Sequence, residues 1–279
     1  MFRTLKSRVV AEPVHREHTR NFLDILSSIS RCEGWSDYDT FVKWLEAAAC
    51  ALRNPVLRVI RDQDKWDINE ERYMRVVKAC RYPRDTMRSM SRLLGIVAMA
   101  LHASPKDFLS GVFMEVAASS EMGQFFTPST VTELMARMTV HDAGERLCAA
   151  YASEGRDYIR LADPACGVGG MVLAVNQALC EKGIDVATQA HWVCTDVDWR
   201  AICGAYIQTS LTGCSAQIVY GNSLSLEEWD VLLTMAAVTH PKYVPESLVQ
   251  LVVLRDRSLR FERRREHESF IEGAARRLS

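Results

Sequence analysis

Apolar residues recur at three- and four-residue spacing through residues 1–118, which read as helices throughout. Between Asp37 and Leu52 the inward set is Phe41, Trp44, Leu45, Ala48 and Leu52, with Asp37 placed to cap and Pro55 to stop. Asn69-Glu70-Glu71 opens a second helix that turns Tyr73, Val76, Val77 and Cys80 inward and closes before Pro83. A third runs from Thr86 to His102 on Met87, Met90, Leu94, Val97 and Leu101. Ser104-Pro105-Lys106-Asp107 reads as a cap, a first-turn proline and an acid, and leads into Phe108, Val112, Phe113 and Val116. The Met and Trp positions fall on the core stripes of these helices.

From Ser119 the period changes to alternating strand and helix signals. Ser129–Met138 is a helix capped by Thr127-Pro128, and Ala143–Arg156 a loop or short helix. Tyr158–Ala162, His191–Thr195, Ala216–Tyr220 and Trp229–Thr234 read as strands, with helices at Met171–Cys180 and Trp199–Leu211. That alternation predicts a parallel sheet with ligand bound past the carboxyl ends of its strands. Leu248–Leu254 has the texture of a further strand, and Phe261–Leu278 is charged and helical in pattern.

Composition narrows the class. Hydrophobic residues make up 48% of 279 and the formal charge is −1, so the whole surface is no trap for a polyanion. Nine cysteines without a Cys-x-x-Cys pair suit reduced thiols of a cytoplasmic protein. No apolar run is long enough to span a membrane, and neither a signal peptide nor metal-ligand spacing among the seven histidines is found. Arg255–Arg277 carries eight arginines against five acids, and the intervening glutamates favour a solvated or partner-facing helix over a phosphate grip.

The densest chemical signal is Asp163-Pro164-Ala165-Cys166-Gly167-Val168-Gly169-Gly170, a glycine turn between a strand and an apolar helix. A second signal lies upstream, at Glu121-Met122-Gly123-Gln124-Phe125-Phe126-Thr127-Pro128, and a third downstream, at Val193-Cys194-Thr195-Asp196-Val197-Asp198. In this order the three resemble the S-adenosylmethionine-binding half of the N-6 adenine DNA methylase family, including the modification subunits of type I restriction systems. The resemblance spans roughly residues 106–230. A nicotinamide dinucleotide is the weaker reading, because the third glycine of Gly-x-Gly-x-x-Gly is missing.

The resemblance implies a cofactor site. Gly167, Gly169, Gly170 and Ala165 would let backbone approach the ligand, and Asp196 would take the ribose hydroxyls. Asp163 and the turn Phe126-Thr127-Pro128 would hold the methionine end. Asn222 stands where the family has an aspartate for the adenine amino group, and can also be read as a turn residue. Active members follow their fourth strand with Asn-Pro-Pro and an aromatic; here Met235, Ala236, Ala237 and Val238 occupy that place. A thioether is no carboxamide acceptor and valine offers no stacking face, so no catalytic residue is assigned.

The expected architecture is α/β: an all-helical N-terminal domain (1–118), an incomplete class I, Rossmann-like methyltransferase sheet (119–245) and an appendage (246–279). The chain after Thr234 is short for the strands that the family's sheet adds. Three functions follow. The first is a silent methylase relative that binds S-adenosylmethionine and acts by binding DNA or protein, in a restriction or mobile-element setting. The second is an adenine N6-methyltransferase subunit completed by a partner. The third is an interaction protein with a closed pocket. DNA, a protein partner or a second copy are the expected partners, the last two because a truncated sheet leaves an open edge.

Overall fold

The computed structural model describes residues 15–117 and 129–239. Five helices come first: α1 (Arg16–Glu33), α2 (Asp37–Ile60), α3 (Gln63–Ala79), α4 (Pro83–Ala103) and α5 (Leu109–Ala117). Then follow α6 (Ser129–Thr139), α7 (Ala143–Glu154), β1 (Ile159–Asp163), α8 (Gly170–Glu181), β2 (Ala190–Asp196), α9 (Trp199–Leu211), β3 (Ala216–Asn222), β4 (Glu227–Leu233) and α10 (Met235–Thr239). The chain is therefore mixed α/β, a helical region followed by a four-stranded sheet. Among the described residues no helix is long and apolar enough to cross a membrane.

The helical stripes predicted from the sequence meet in an aromatic cluster. Phe22 and Phe41 pack on Trp44 at 4.9 and 5.8 Å between ring centroids, joined by Phe108, just before α5, and Phe113, within it. The buried indole N–H of Trp44 donates to the carbonyl of Met90, 3.1 Å away, so the stripe costs no unpaired donor. The core is continuous across the chain because α2 packs on α9, and α9 on β2 and β3. A buried ion pair reinforces this junction: Arg53 of α2 forks onto Asp230 of β4 at 2.7 and 2.9 Å, and Arg72 of α3 adds a bond at 2.9 Å. These guanidinium groups outweigh the desolvation that would raise the Asp230 pKa and hold it below the usual value.

Several local expectations are corrected. Pro55 does not stop α2, which runs on to Ile60. Pro55 and Ala51, whose carbonyl loses its partner, are both exposed, so water can take up the orphan acceptor. Asn69 opens no helix; α3 starts at Gln63 with Asp62 accepting from the Lys65 N–H. Asn69 is instead buried in mid-helix, its amide donating to the Cys50 carbonyl and to Asn54. Ser104 ends α4, and the side chain of Asp107 caps α5 by accepting from the Ser110 N–H at 3.1 Å. Of the two readings of Ala143–Arg156, the helix holds, over Ala143–Glu154.

The sheet is also not wholly parallel. Its order is β1-β2-β3-β4, with β1, β2 and β3 parallel and β4 antiparallel to β3. The reason is the connection. Residues 223–226 are too few for the crossover that a parallel pair needs, and they close a hairpin instead. Thr234 locks the far end of that hairpin: its hydroxyl donates to the Cys214 carbonyl at 2.7 Å and accepts from the Ala216 N–H at 3.0 Å.

Candidate functional site

At the carboxyl ends of β1 and β2 lies a cavity of about 540 Å³, within the range of small-molecule sites. Asp163 ends β1, Asp196 ends β2, and the loop from Ala165 to Gly170 runs between β1 and α8; all four named residues line the cavity, with Cys166, Gly167 and Val168. This is the outcome that a strand–loop–helix unit beside a parallel neighbour dictates, since both strands deliver their last side chains to one end.

Hydrogen bonds fix the loop. The Gly167 N–H donates to Oδ2 of Asp196 at 2.9 Å, and the Asp198 N–H to its Oδ1 at 2.9 Å. The Asp196 carboxylate is thus oriented by two backbone donors, with lone pairs to spare for a ligand. The Cys166 N–H donates to the Thr195 carbonyl at 3.0 Å, a second tie between loop and β2. Oδ1 of Asp163 accepts from the Ala165 N–H at 3.1 Å. Burial, helped by the charge of Asp196, pushes the Asp163 pKa up. Burial and the two nearby carboxylates also push the Cys166 thiol well up, so it supplies no thiolate.

Two glycines do different work. Gly169 caps α8 at φ 91°, a left-handed conformation, and a Cβ there would stand 3.4 Å from the Ala205 Cα; it packs the loop onto α9. Gly170 faces the other way: a Cβ would lie 2.6 Å from Oδ2 of Asp107.

The residues expected from the sequence separate accordingly. Asp163, Ala165, Gly167 and Asp196 come together around the cavity. Gly169 and Asn222 are not among its described lining residues; Oδ1 of Asn222 accepts from the N–H groups of Leu224 and Ser225, so its side chain closes the hairpin turn. Phe126, Thr127 and Pro128 lie outside the described residues, as do Leu248–Leu254 and Arg255–Arg277. Met235, Ala236, Ala237 and Val238 begin α10, beyond Thr234. Because β4 is antiparallel, Glu227 stands beside Asn222 and Leu233 beside Gln217, so Met235 follows the end of the sheet opposite the cavity. Seven residues of strand, roughly 20 Å, separate the two ends.

Sequence reasoning missed contributions from three helices. Asp107 caps α5 and Ser110 lies in its first turn, while Thr132, Met135 and Thr139 come from α6; all line the cavity. Gln208, in α9, is fully buried: its Oε1 accepts from the N–H groups of Phe108 and Leu109, and its Nε2 donates to Oδ1 of Asp107 and to the Val168 carbonyl. One polar residue directly after the apolar run Ile202–Ile207 was the available signal. Among the described residues no group of three or more His, Cys, Asp or Glu side chains is arranged to hold a metal ion.

Residues 108–245 match the family model of N-6 DNA methylases. No curated protein matches the sequence. Among solved structures, the chain is similar to a putative class I S-adenosylmethionine-dependent methyltransferase from Listeria monocytogenes, at 14% identity and a TM-score of 0.41, over 75% of this chain and 54% of that one. The chain thus spans about half the length of that protein.

Proposed function

From the match of residues 108–245 to the N-6 DNA methylase family model, we propose that this chain binds S-adenosylmethionine between Asp163, Gly167 and Asp196, and acts by binding DNA or a partner protein without transferring the methyl group on its own. The observation that carries the cofactor reading is the set of acceptors. The described lining holds three carboxylates, Asp107, Asp163 and Asp196, and no Lys, Arg or His. Such a site suits a ligand bearing an ammonium, a sulfonium and hydroxyl donors, and repels the phosphates of a dinucleotide.

When bound, the cofactor supplies an activated methyl group. The residues of the chain would orient it: Asp196 would accept from the ribose hydroxyls, and Gly167, without a side chain, would let the loop backbone approach the ligand. For the transfer itself the target amine needs an acceptor beside the cofactor. Met235–Val238 begin at the opposite end of the sheet, and their side chains carry no such acceptor. The open cavity speaks against a purely structural protein. One observation favours the partner-completed alternative: β1 is an edge strand among the described residues, next to the cavity.

Two readouts test the proposal together. Melting temperature should rise with S-adenosylmethionine and not with a nicotinamide dinucleotide. Tritiated methyl transfer to mixed-sequence DNA should stay at the level of a Gly167→Ala/Asp196→Ala double variant. Transfer clearly above that level defeats the silent reading, and a shift with the dinucleotide alone defeats the cofactor.

A further inference from the structure

The cavity wall has a member that comes from the helical region. Asp107 sits in the connection between α4 and α5, and its two oxygens are used unequally. Oδ1 accepts twice, from the Ser110 N–H at 3.1 Å and from Nε2 of Gln208 at 3.0 Å. Those two bonds fix the orientation of the carboxylate. Oδ2 receives no hydrogen bond from the described residues and points at Gly170, where a Cβ would come within 2.6 Å of it. Gly170 lines the same cavity as Asp107, and a side chain there would crowd this oxygen.

The order of groups along the wall sets what Oδ2 would meet. The loop leads from Gly167, which is bonded to Asp196, to Gly170, which abuts Asp107. A ligand with hydroxyls at Asp196 and a chain that follows the loop past Gly167 presents the end of that chain to Asp107. In S-adenosylmethionine that end is the amino acid, and its ammonium is the donor that an oriented carboxylate oxygen accepts best. On the cofactor reading of this cavity, we infer that Asp107 is a binding residue that accepts from the α-ammonium of the methionine moiety. Cofactor binding then draws on the helical region as well as the sheet, with Gln208 as the residue that positions Asp107: the same amide also holds the Val168 carbonyl of the loop.

The test uses two ligands that differ at one end. 5′-Methylthioadenosine keeps the adenine, ribose and sulfur but has no amino-acid end. Calorimetric titration of the full chain with each ligand is compared for wild type, Asp107→Asn and Asp196→Ala. Asp107→Asn should weaken S-adenosylmethionine by about ten- to a hundredfold, the size expected for a bond to a charged group, and leave methylthioadenosine within about twofold. Asp196→Ala should weaken both ligands. An equal loss of both ligands in Asp107→Asn, or no loss of either, overturns the inference while leaving the cofactor reading intact. Wild type that binds neither ligand overturns both. Gly170→Ala gives an independent arm, since its Cβ displaces Oδ2 without touching the charge: it should show the same selective loss, and retention of S-adenosylmethionine affinity counts against Asp107.

Discussion

The backbone N–H of Gly167 donates to Oδ2 of Asp196 at 2.9 Å, joining the turn after β1 to the last residue of β2. This one bond makes the glycine loop and the acid a single unit. It places a carboxylate with unused lone pairs at the mouth of the loop, and it explains why both elements are needed in order along the chain. The same logic extends to Gln208, which ties the helical region to the loop from the other side.

Gln208→Ala should destabilise the fold by about 3 kcal/mol, because the N–H groups of Phe108 and Leu109 and the Val168 carbonyl lose a buried partner at once. Chemical denaturation measures this. A loss below about 1 kcal/mol means that water replaces the amide and that Gln208 does not organise the junction.

The Arg53–Asp230 pair should behave as a buried ion pair. Asp230→Leu leaves Arg53, 2% exposed, without its counter-charge and should cost about 3–5 kcal/mol. The double variant Arg53→Met/Asp230→Leu should recover a large part of that loss in a double-mutant cycle, although Arg72 also loses its partner. Additive losses would show that the two residues are not coupled.

His191 supplies a pH dependence. Burial, with a smaller push from the charge of Arg160, lowers its pKa from 6.5 to about 4. Below pH 6.5 the unfolded chain takes up a proton that the folded chain refuses, so stability falls as pH drops from 6.5 towards 4, by about 3 kcal/mol in all. Above pH 7 the residue contributes no slope. Glu33 and Asp230, whose pKa values are lowered from 4.5 and 3.8, contribute stability that is lost only at lower pH. Urea midpoints measured from pH 7.5 to 4.5 should decline for wild type and flatten in His191→Gln; an unchanged slope in the variant assigns the dependence elsewhere.

The fold was legible wherever periodicity carried it. The stripe through Phe41, Trp44 and Leu45, the helix Trp199–Leu211 and strands β1 to β3 follow from spacing alone, as does the glycine turn between Asp163 and α8. The direction of β4 was not legible from its apolar pattern, which is the same for either orientation; only the length of the 223–226 connection decides it. Asn222 was ambiguous because one carboxamide serves a ligand or a turn, and the tight hairpin claims its oxygen. Asp107 was readable only as a first-turn acid behind a Ser104 cap, whereas Ser104 ends α4 and Asp107 itself caps α5. Its second role depends on Gly170, a contact between distant positions that no local pattern encodes.

Calorimetric titration of the purified full chain with S-adenosylmethionine, beside Asp196→Ala, tests cofactor binding at the Gly167–Asp196 unit most directly. The expected result is saturable heat with one site per chain for wild type and none for the variant, because removing the carboxylate strips the ribose acceptors and frees the Gly167 N–H together. Absence of heat from wild type at millimolar ligand, or equal binding by Asp196→Ala, contradicts a cofactor site at this loop.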